Sequence, residues 1–381
     1  MPIRATKRGS ERTPIGGHYD VVICGASFAG LSVARELRGS GARVLVLDRY
    51  EIGEKPTSAC ATPTMWLERL GLEGSIKQTF RRLTIHVHDK PVKFKTPWPF
   101  STFDYRKLCE LLAAQGDFEF ETATVTGPAE ASVKLNGPIT VRTDRGDVHA
   151  PLVVDALGWR RVLAQNGPQP PNARLSRGLE VHPYSSSDHL QIWIDRTLVK
   201  AGYGWSFPAG NEMRIGIGSF DPHDGVREPT VALSEQLEQP VERFQGNWIP
   251  HKLRDATEGP VFFAGDSAGH CLPLSAEGIR TAFYFGIACG RELRAVIDGQ
   301  QERATALRRY SEFSHAHQRP YKVLLRAQRA IPRPPIGALK AAVRFMSLPG
   351  VDRRWMGRYL QAAHPDFTHS GGDPVRPSTQ A

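Results

Sequence analysis

Gly25, Ser27 and Gly30 stand at the spacing of a phosphate-binding turn, and Asp48 ends the next apolar run. Val21-Val22-Ile23-Cys24 before the turn reads as a buried strand, Leu31 to Leu37 as a helix closed by Gly39 and Gly41, and Arg43 to Asp48 as a second strand. In such a βαβ unit the free N–H groups and positive dipole end of the helix meet a pyrophosphate. An acid about 20 residues past the first glycine accepts hydrogen bonds from an adenosine ribose. Serine replaces the middle glycine of the dinucleotide pattern, and its hydroxyl can itself bond a phosphate oxygen. Arg49, beside Asp48, joins this cofactor-binding set. A βαβ unit that packs and binds nothing is the plainer alternative.

A second set lies far along the chain. Val261 to Ala264 is a short apolar strand followed by Gly265-Asp266, and Glu277-Gly278-Ile279 opens a helix running to Val296. A carboxylate after a buried strand can accept hydrogen bonds from hydroxyls. Ser267 to Gly269 are small enough for the chain to pass a flat ring, Pro273 fixes the turn, and N–H groups at Gly278 and Ile279 can face a ring edge. Tyr203, Trp205 and Phe207 alternate with Gly202, Gly204 and Ser206, so on a strand the three rings share a face. They would line an apolar tunnel or pack beneath a covering helix. Cys60, His270 and Glu277 are the candidate acids. Cys60 reads equally as a buried filler, and His270 and Cys271 as packing residues. His86 and His88 lack acidic or thiol neighbours, so no metal site is expected.

A chain of 381 residues with 40% hydrophobic and 23% charged residues is long enough for roughly two globular domains. No apolar run reaches the ~20 residues of a membrane span. The start, Met1 to Gly17, is basic and polar without an apolar leader, and the five cysteines fall in no framework, which together imply a cytoplasmic protein. A net charge of +10 does not imply nucleic acid, because the basic residues are spread out and no recognition motif appears. Much of the excess lies in the N-terminal tail and between Arg291 and Arg358, where it suits an anionic membrane surface or an acidic substrate.

The positioning elements follow. A helix over Met65 to Leu70, a hairpin over Leu83 to Lys95 and a helix over Lys107 to Gln115 lead to strands at Phe118 to Val125, Ile139 to Asp144 and Val148 to Asp155. From about Asn172 the pattern is antiparallel: Gly178 to His182, Leu190 to Ile194, Gly202 to Phe207 and Met213 to Ser219. A helix follows from Pro229 to Gln236. The expected division is a disordered basic tail at 1–17, a discontinuous cofactor domain at 18–80, 104–171 and 251–300, a substrate sheet domain at 81–103 and 172–250, C-terminal helices at 301–367 broken by Pro320, Pro332, Pro334, Pro335 and Pro349, and a disordered tail at 368–381.

Gly25 to Gly30 with Asp48, the helix beginning near Arg106, the run Gly202-Tyr203-Gly204-Trp205-Ser206-Phe207-Pro208 and the run Gly265 to Ile279 resemble geranylgeranyl reductase-type flavoproteins of the p-hydroxybenzoate-hydroxylase fold, in the same order over about residues 18–300. The resemblance implies an α/β fold in which a Rossmann-like FAD-binding domain is interrupted by an antiparallel β-sheet substrate domain. It implies FAD as cofactor, Arg106 at the FAD phosphates, and Asp266 on the ribityl hydroxyls. Cys60 would lie over the flavin, and Tyr203, Trp205 and Phe207 against the substrate. Asp155 stands where flavin hydroxylases carry an Asp-Gly motif that serves FAD and is linked to NAD(P)H use, so the resemblance counts it with the cofactor-binding residues, holding the turn or the cofactor. Here the glycine is displaced to Gly158, so NADPH or an external electron-donor protein could serve. The expected reaction is reduction of C=C bonds of a hydrophobic substrate, an isoprenoid being one candidate, by hydride from flavin N5. A monooxygenase or halogenase, and a non-redox isomerase or cyclase with Glu277 as acid, are the alternatives.

Overall fold

A computed structural model describes residues 12–368 apart from 57, 89, 128–129, 132–136 and 166–174. Val21–Cys24 is apolar at every position and wholly buried, as befits a parallel strand covered on both faces. It pairs in parallel with Val44–Asp48 on one side and Leu152–Asp155 on the other. Leu152–Asp155 pairs in parallel with Val261–Phe263, so Cys24, Asp155 and Phe263 stand side by side. The turns at Gly25, Ala156 and Gly265 therefore leave the sheet at one edge, although they are far apart in sequence. Glu119–Thr122 and Thr257–Glu258 complete this six-stranded sheet at its two ends.

The helices, in chain order, are α1 (Phe28–Glu36), α2 (Thr64–Arg69), α3 (Tyr105–Ala113), α4 (Arg227–Gln236) and α5 (Ile279–Ile297). Four more follow: α6 (Arg303–Ala316), α7 (Gln318–Ala330), α8 (Ile336–Met346) and α9 (Val351–Gln361). Helix α5 packs directly on α1 because Gly286 and Gly290 leave no side chain between them. A Cβ at Gly286 would meet the Ala29 carbonyl at 2.7 Å. Pro320 lies in the first turn of α7, where an N–H would have no helical partner, so it tightens the α6–α7 junction without breaking either helix.

The second sheet has eight strands in the order Gln245–Pro250, Leu175–Val181, Met213–Ser219, Gly202–Pro208, Leu190–Ile194, Ile76–Val87, Lys90–Phe103 and Ala61–Pro63. Its hairpin is longer than the alternation over Leu83 to Lys95 predicts. The strands run Ile76–Val87 and Lys90–Phe103, with register shifts between Ile76/Gln78 and Phe80/Arg82 that disturb the period-2 pattern. Val148 to Asp155 is likewise two strands, Gly146–Ala150 and Leu152–Asp155, which enter different sheets. Gly17–His18 pairs with Val148 and His149, and the Ile15 N–H donates to the Arg145 carbonyl at 2.9 Å. Residues 12–17, grouped by composition with the basic tail, are thus laid along a sheet edge. The remainder of that tail and the tail from 369 on lie outside the described residues.

Among the described residues no helix is long and apolar enough to cross a membrane, and no cluster of His, Cys, Asp or Glu could hold a metal ion. All five cysteines are buried free thiols.

Candidate active site

The sheet edge where the glycine turns emerge opens into a cavity of about 2800 Å³ that continues beneath the second sheet to the C-terminal helices. Gly25 has φ +115°, and a Cβ there would meet the Ala156 carbonyl at 2.2 Å, so only glycine makes this turn. Ser27 stands just before α1, and its hydroxyl, which makes no capping bond, shares a hydrogen bond with the Tyr105 hydroxyl at 3.0 Å. The N–H of Ala26 donates to Asp48 Oδ2 at 2.8 Å and that of Tyr50 to Oδ1 at 3.1 Å. Asp48 thus braces the turn from the neighbouring strand while still lining the cavity. Burial pushes its carboxyl up, against the pull of those N–H groups. Arg49 also lines the cavity, its guanidinium 4.9 Å over the Tyr50 ring. Arg106 is exposed in the first turn of α3, its backbone against Gly53 at the cavity wall, and its side chain is not among the lining groups.

Asp155 holds the protein's own backbone. It accepts from the N–H groups of Leu157 (2.9 Å) and Leu163 (2.8 Å) and from the Ser267 hydroxyl (2.6 Å), tying two turns together behind the cavity. Asp266 is the opposite case: it faces the cavity, and among the described residues its carboxylate has no hydrogen-bond donor. Burial pushes that carboxyl up to about 6, with Arg254 pulling it down. An unpartnered carboxylate, a glycine cradle at a helix start and a second acid at the neighbouring strand end form a donor and acceptor set that fits FAD.

Pro273 is buried beneath the loop, where its carbonyl accepts from the Ser275 N–H at 2.8 Å. Leu274 (φ 71°) and Ala276 (φ 52°) then adopt left-handed backbone, each at a cost of about 1–3 kcal/mol that surrounding contacts must offset. Three clamps do so: Gln328 Oε1 accepts from the Leu274 N–H, the Tyr203 hydroxyl donates to the Ser275 carbonyl at 2.6 Å, and Tyr359 meets the Ser275 hydroxyl at 2.6 Å. Gly278 and Ile279 begin α5 and line the cavity.

The expected acids fare differently. Glu277 lines the cavity, but one carboxylate oxygen accepts from Arg280 Nε at 2.5 Å and the other from the Tyr359 hydroxyl. Cys60 lines the cavity in a left-handed conformation, its thiol donating to the Ser58 carbonyl at 3.0 Å. Burial pushes that thiol up to about 12, with Arg214 pulling it down. His270 does not reach the cavity: its ring is fully buried, stacked 3.8 Å from Phe285 and bonded to Ser314 at 3.0 Å. The turn that aims Cys271 inward sends its neighbour into the core.

Tyr203, Trp205 and Phe207 share the cavity face, as their alternation predicts. The group that sequence reasoning missed is Glu180 with His182. Glu180 is buried, lines the cavity, and accepts from Trp205 Nε1 at 3.0 Å. Its spacing from His182 places both on one face of a strand, which was the available signal. The glycine at 216 that lets Trp205 reach Glu180 becomes meaningful only once the strands are paired.

Residues 20–188 match the family model for lycopene cyclase protein. A digeranylgeranylglycerophospholipid reductase from Sulfolobus acidocaldarius is 23% identical over 52% of this chain, which spans about half (50%) of that relative's length. The Methanopyrus kandleri protein named digeranylgeranylglycerophospholipid reductase 1 is also 23% identical, over 77% of this chain and 85% of its own. Among solved structures, a geranylgeranyl bacteriochlorophyll reductase-like protein from Thermoplasma acidophilum superposes with a TM-score of 0.79 at 16% identity, covering 94% of this chain and all (100%) of that one. PqsL from Pseudomonas aeruginosa, a probable FAD-dependent monooxygenase, gives a TM-score of 0.65 at 17% identity, covering 86% and 100%. The fold is that of FAD-binding, monooxygenase-like flavoproteins.

Proposed function

We infer that this chain, a geranylgeranyl reductase-like FAD-dependent oxidoreductase of the monooxygenase-like fold, reduces carbon–carbon double bonds of a long apolar, isoprenoid-type substrate. The observation that carries this reading is the shape of the cavity. Its volume of about 2800 Å³ takes in the cofactor end and continues well past it. Beyond the cofactor end it is walled by Leu324, Ala327, Val343, Met346 and Trp355 of the C-terminal helices. That wall suits a chain of many methyl-branched units better than a small polar aromatic.

The turn at Gly25, Ser27 and Asp48 would hold the adenosine and pyrophosphate, with Arg49 at the cavity wall. Asp266 would accept hydrogen bonds from the ribityl hydroxyls, and the start of α5 would face the pyrimidine edge. When bound, FAD in its reduced form supplies a hydride to an alkene carbon. The clamped Leu274–Ala276 loop keeps the cofactor end rigid. Trp205 and Tyr203 floor the cavity and exclude water. The displacement of the motif glycine from the position after Asp155 to Gly158 favours a separate electron donor over direct use of NADPH.

Anaerobic photoreduction of the FAD-loaded protein with digeranylgeranylglycerophospholipid in vesicles tests this. Product heavier by pairs of hydrogens supports the reading, and unchanged lipid with reduced flavin persisting sinks it. Bleaching of the visible flavin bands by NADPH alone would refute the separate donor. The lycopene cyclase match supports a second reading, an isomerisation or cyclisation without net reduction. It predicts product of unchanged mass and no consumption of reductant.

A further inference from the structure

Three glycines make a hollow in the cavity floor. Trp205 stands opposite Gly216 and Tyr203 opposite Gly218, and these two glycines stand opposite Glu180 and Gly178 on the next strand. The Trp205 indole lies across the hollow. A Cβ at Gly216 would meet the ring at 2.4 Å, one at Gly218 at 3.4 Å and one at Gly178 at 3.7 Å. Gly178 and Gly218 line the cavity beside the ring, whereas Gly216, beneath it, is not among the lining groups. The indole Nε1 donates to Glu180 Oε2 at 3.0 Å, which ties the ring down at its far edge.

Glu180 is buried and engaged on both oxygens, since Oε1 accepts from Gln245 at 3.1 Å and from His182 Nε2 at 3.0 Å. Burial pushes the His182 imidazole down, but hydrogen bonds to Glu180 and Glu212 outweigh it and lift the ring to about 9. At neutral pH an imidazolium therefore faces a carboxylate, and Glu180 is an acceptor with no proton to give. With its lone pairs taken, it lines an apolar space without drawing water in. Gln245 extends the tie, its Nε2 donating also to the Ser58 carbonyl at 3.3 Å. Arg214, paired with Glu212, donates to the Ala59 and Cys60 carbonyls at 3.0 and 3.3 Å. One buried cluster thus grips the cavity floor and the loop that brings Cys60 to the wall.

We propose that Glu180 is a positioning residue that holds Trp205 down in its glycine bed and so sets the bore of the substrate cavity. An indole held flat leaves the passage open to a long methyl-branched chain. An indole released from Glu180 swings up into the passage and leaves room for a short chain alone. The long chain is that of the reductase reading above, on which the specificity rests; the anchoring of the ring does not depend on it. A bond to a charged acceptor is among the stronger hydrogen bonds, and the hollow adds shape to it. Selectivity for chain length is thus fixed by a carboxylate and three absent side chains, none of which belongs to the cofactor cradle.

The test uses the FAD-loaded full chain, wild type and the Glu180→Gln, Glu180→Leu and Gly218→Val variants. Glutamine keeps an acceptor for the indole and leucine removes it. Valine fills the bed without touching the Glu180 cluster, so it serves even where leucine beside the His182 imidazolium prevents folding. Equilibrium binding of a twenty-carbon and a ten-carbon isoprenoid alcohol to the oxidised protein, in dilute detergent, needs no turnover. Glu180→Leu and Gly218→Val should bind the long alcohol about 10-fold or more weakly and the short one within about 2-fold of wild type, the loss of two buried CH₂ groups being worth that much. Glu180→Gln should bind both as wild type does. In protein with ¹⁵N-labelled tryptophan, NMR should show the Trp205 indole N–H protected from solvent exchange in wild type and Glu180→Gln and exchanging in Glu180→Leu. A freely exchanging wild-type indole, unchanged selectivity in Glu180→Leu or Gly218→Val, or equal loss for both alcohols overturns the proposal. So does a Glu180→Gln variant as impaired as Glu180→Leu, because charge and not the bond to the ring would then matter. A wild type that binds neither alcohol refutes the reductase reading, and indole exchange then decides on the anchor alone.

Discussion

Asp266 and Asp155 show how one residue type takes opposite work according to its neighbours. Asp155 is saturated by two N–H groups and the Ser267 hydroxyl, whereas Asp266, among the described residues, is left without a donor at the cavity wall. A hydrogen bond to a charged group contributes about 1.5–3 kcal/mol. Asp266→Ala should therefore weaken FAD binding about 10- to 100-fold at pH 8, read by flavin fluorescence titration of apoprotein. The sign with pH follows from a carboxyl raised to about 6 by burial: hydroxyl donors favour the ionised form, so wild-type affinity should fall as pH drops through about 6. The variant should show no such fall. At this scale the turn residues and Asp266 were legible from spacing, because a phosphate turn and a strand-end acid are local patterns, whereas Asp155, expected at the cofactor, turns to the protein's own backbone. The burial of His270 was not, since neighbouring residues in a tight turn point to opposite sides and nothing local says which side faces the cavity.

At the scale of elements, the C-terminal helix α9 is held to the cofactor-binding body by Arg280. Its side chain is fully buried, pairs with Glu277, and donates to the Tyr359, Leu360 and Ala363 carbonyls at 3.0–3.1 Å. A cation there also meets the negative end of the α9 dipole. Removing one partner of a buried ion pair costs about 3–5 kcal/mol. Arg280→Met should lower the urea midpoint accordingly and release α9 to limited proteolysis before the rest of the chain. An unchanged midpoint with α9 still protected would show that the apolar contacts of α9 suffice. From sequence, Arg280 was one more arginine in a basic helix. Its partner carbonyls lie about 80 residues away, so only docking of α9 could reveal its work.

For the whole molecule, the basic C-terminal region presents apolar and cationic groups side by side. Phe345 is 61% exposed, Val323 54% and Leu348 49%, and Lys322, Arg326, Arg329, Arg333 and Arg344 are exposed on the same helices and the turn between them. Apolar insertion combined with attraction to anionic headgroups is how a protein rests on a bilayer without crossing it. Flotation should find the protein with vesicles rich in phosphatidylserine and lose it in high salt or in the Phe345→Asp variant. Protein that stays at the bottom of the gradient with anionic vesicles would refute this.

The chain's own order of residues was enough to predict a glycine turn in a βαβ unit whose second strand ends at Asp48, a second glycine-and-acid turn near residue 265, and a strand whose three aromatic rings share one face. Each is a short-range pattern, set by periodicity and by residues whose backbone geometry is special. Which acids reach the cavity, and what each is bonded to, was decided only by tertiary structure. Parallel pairing of Val21–Cys24, Leu152–Asp155 and Val261–Phe263 brings three distant turns to one edge. The antiparallel register across Glu180, Gly216 and Trp205 then buries a carboxylate where no sequence motif marked one. Desolvation and hydrogen-bond partners depend on what lies alongside in space, and that is fixed by register and packing.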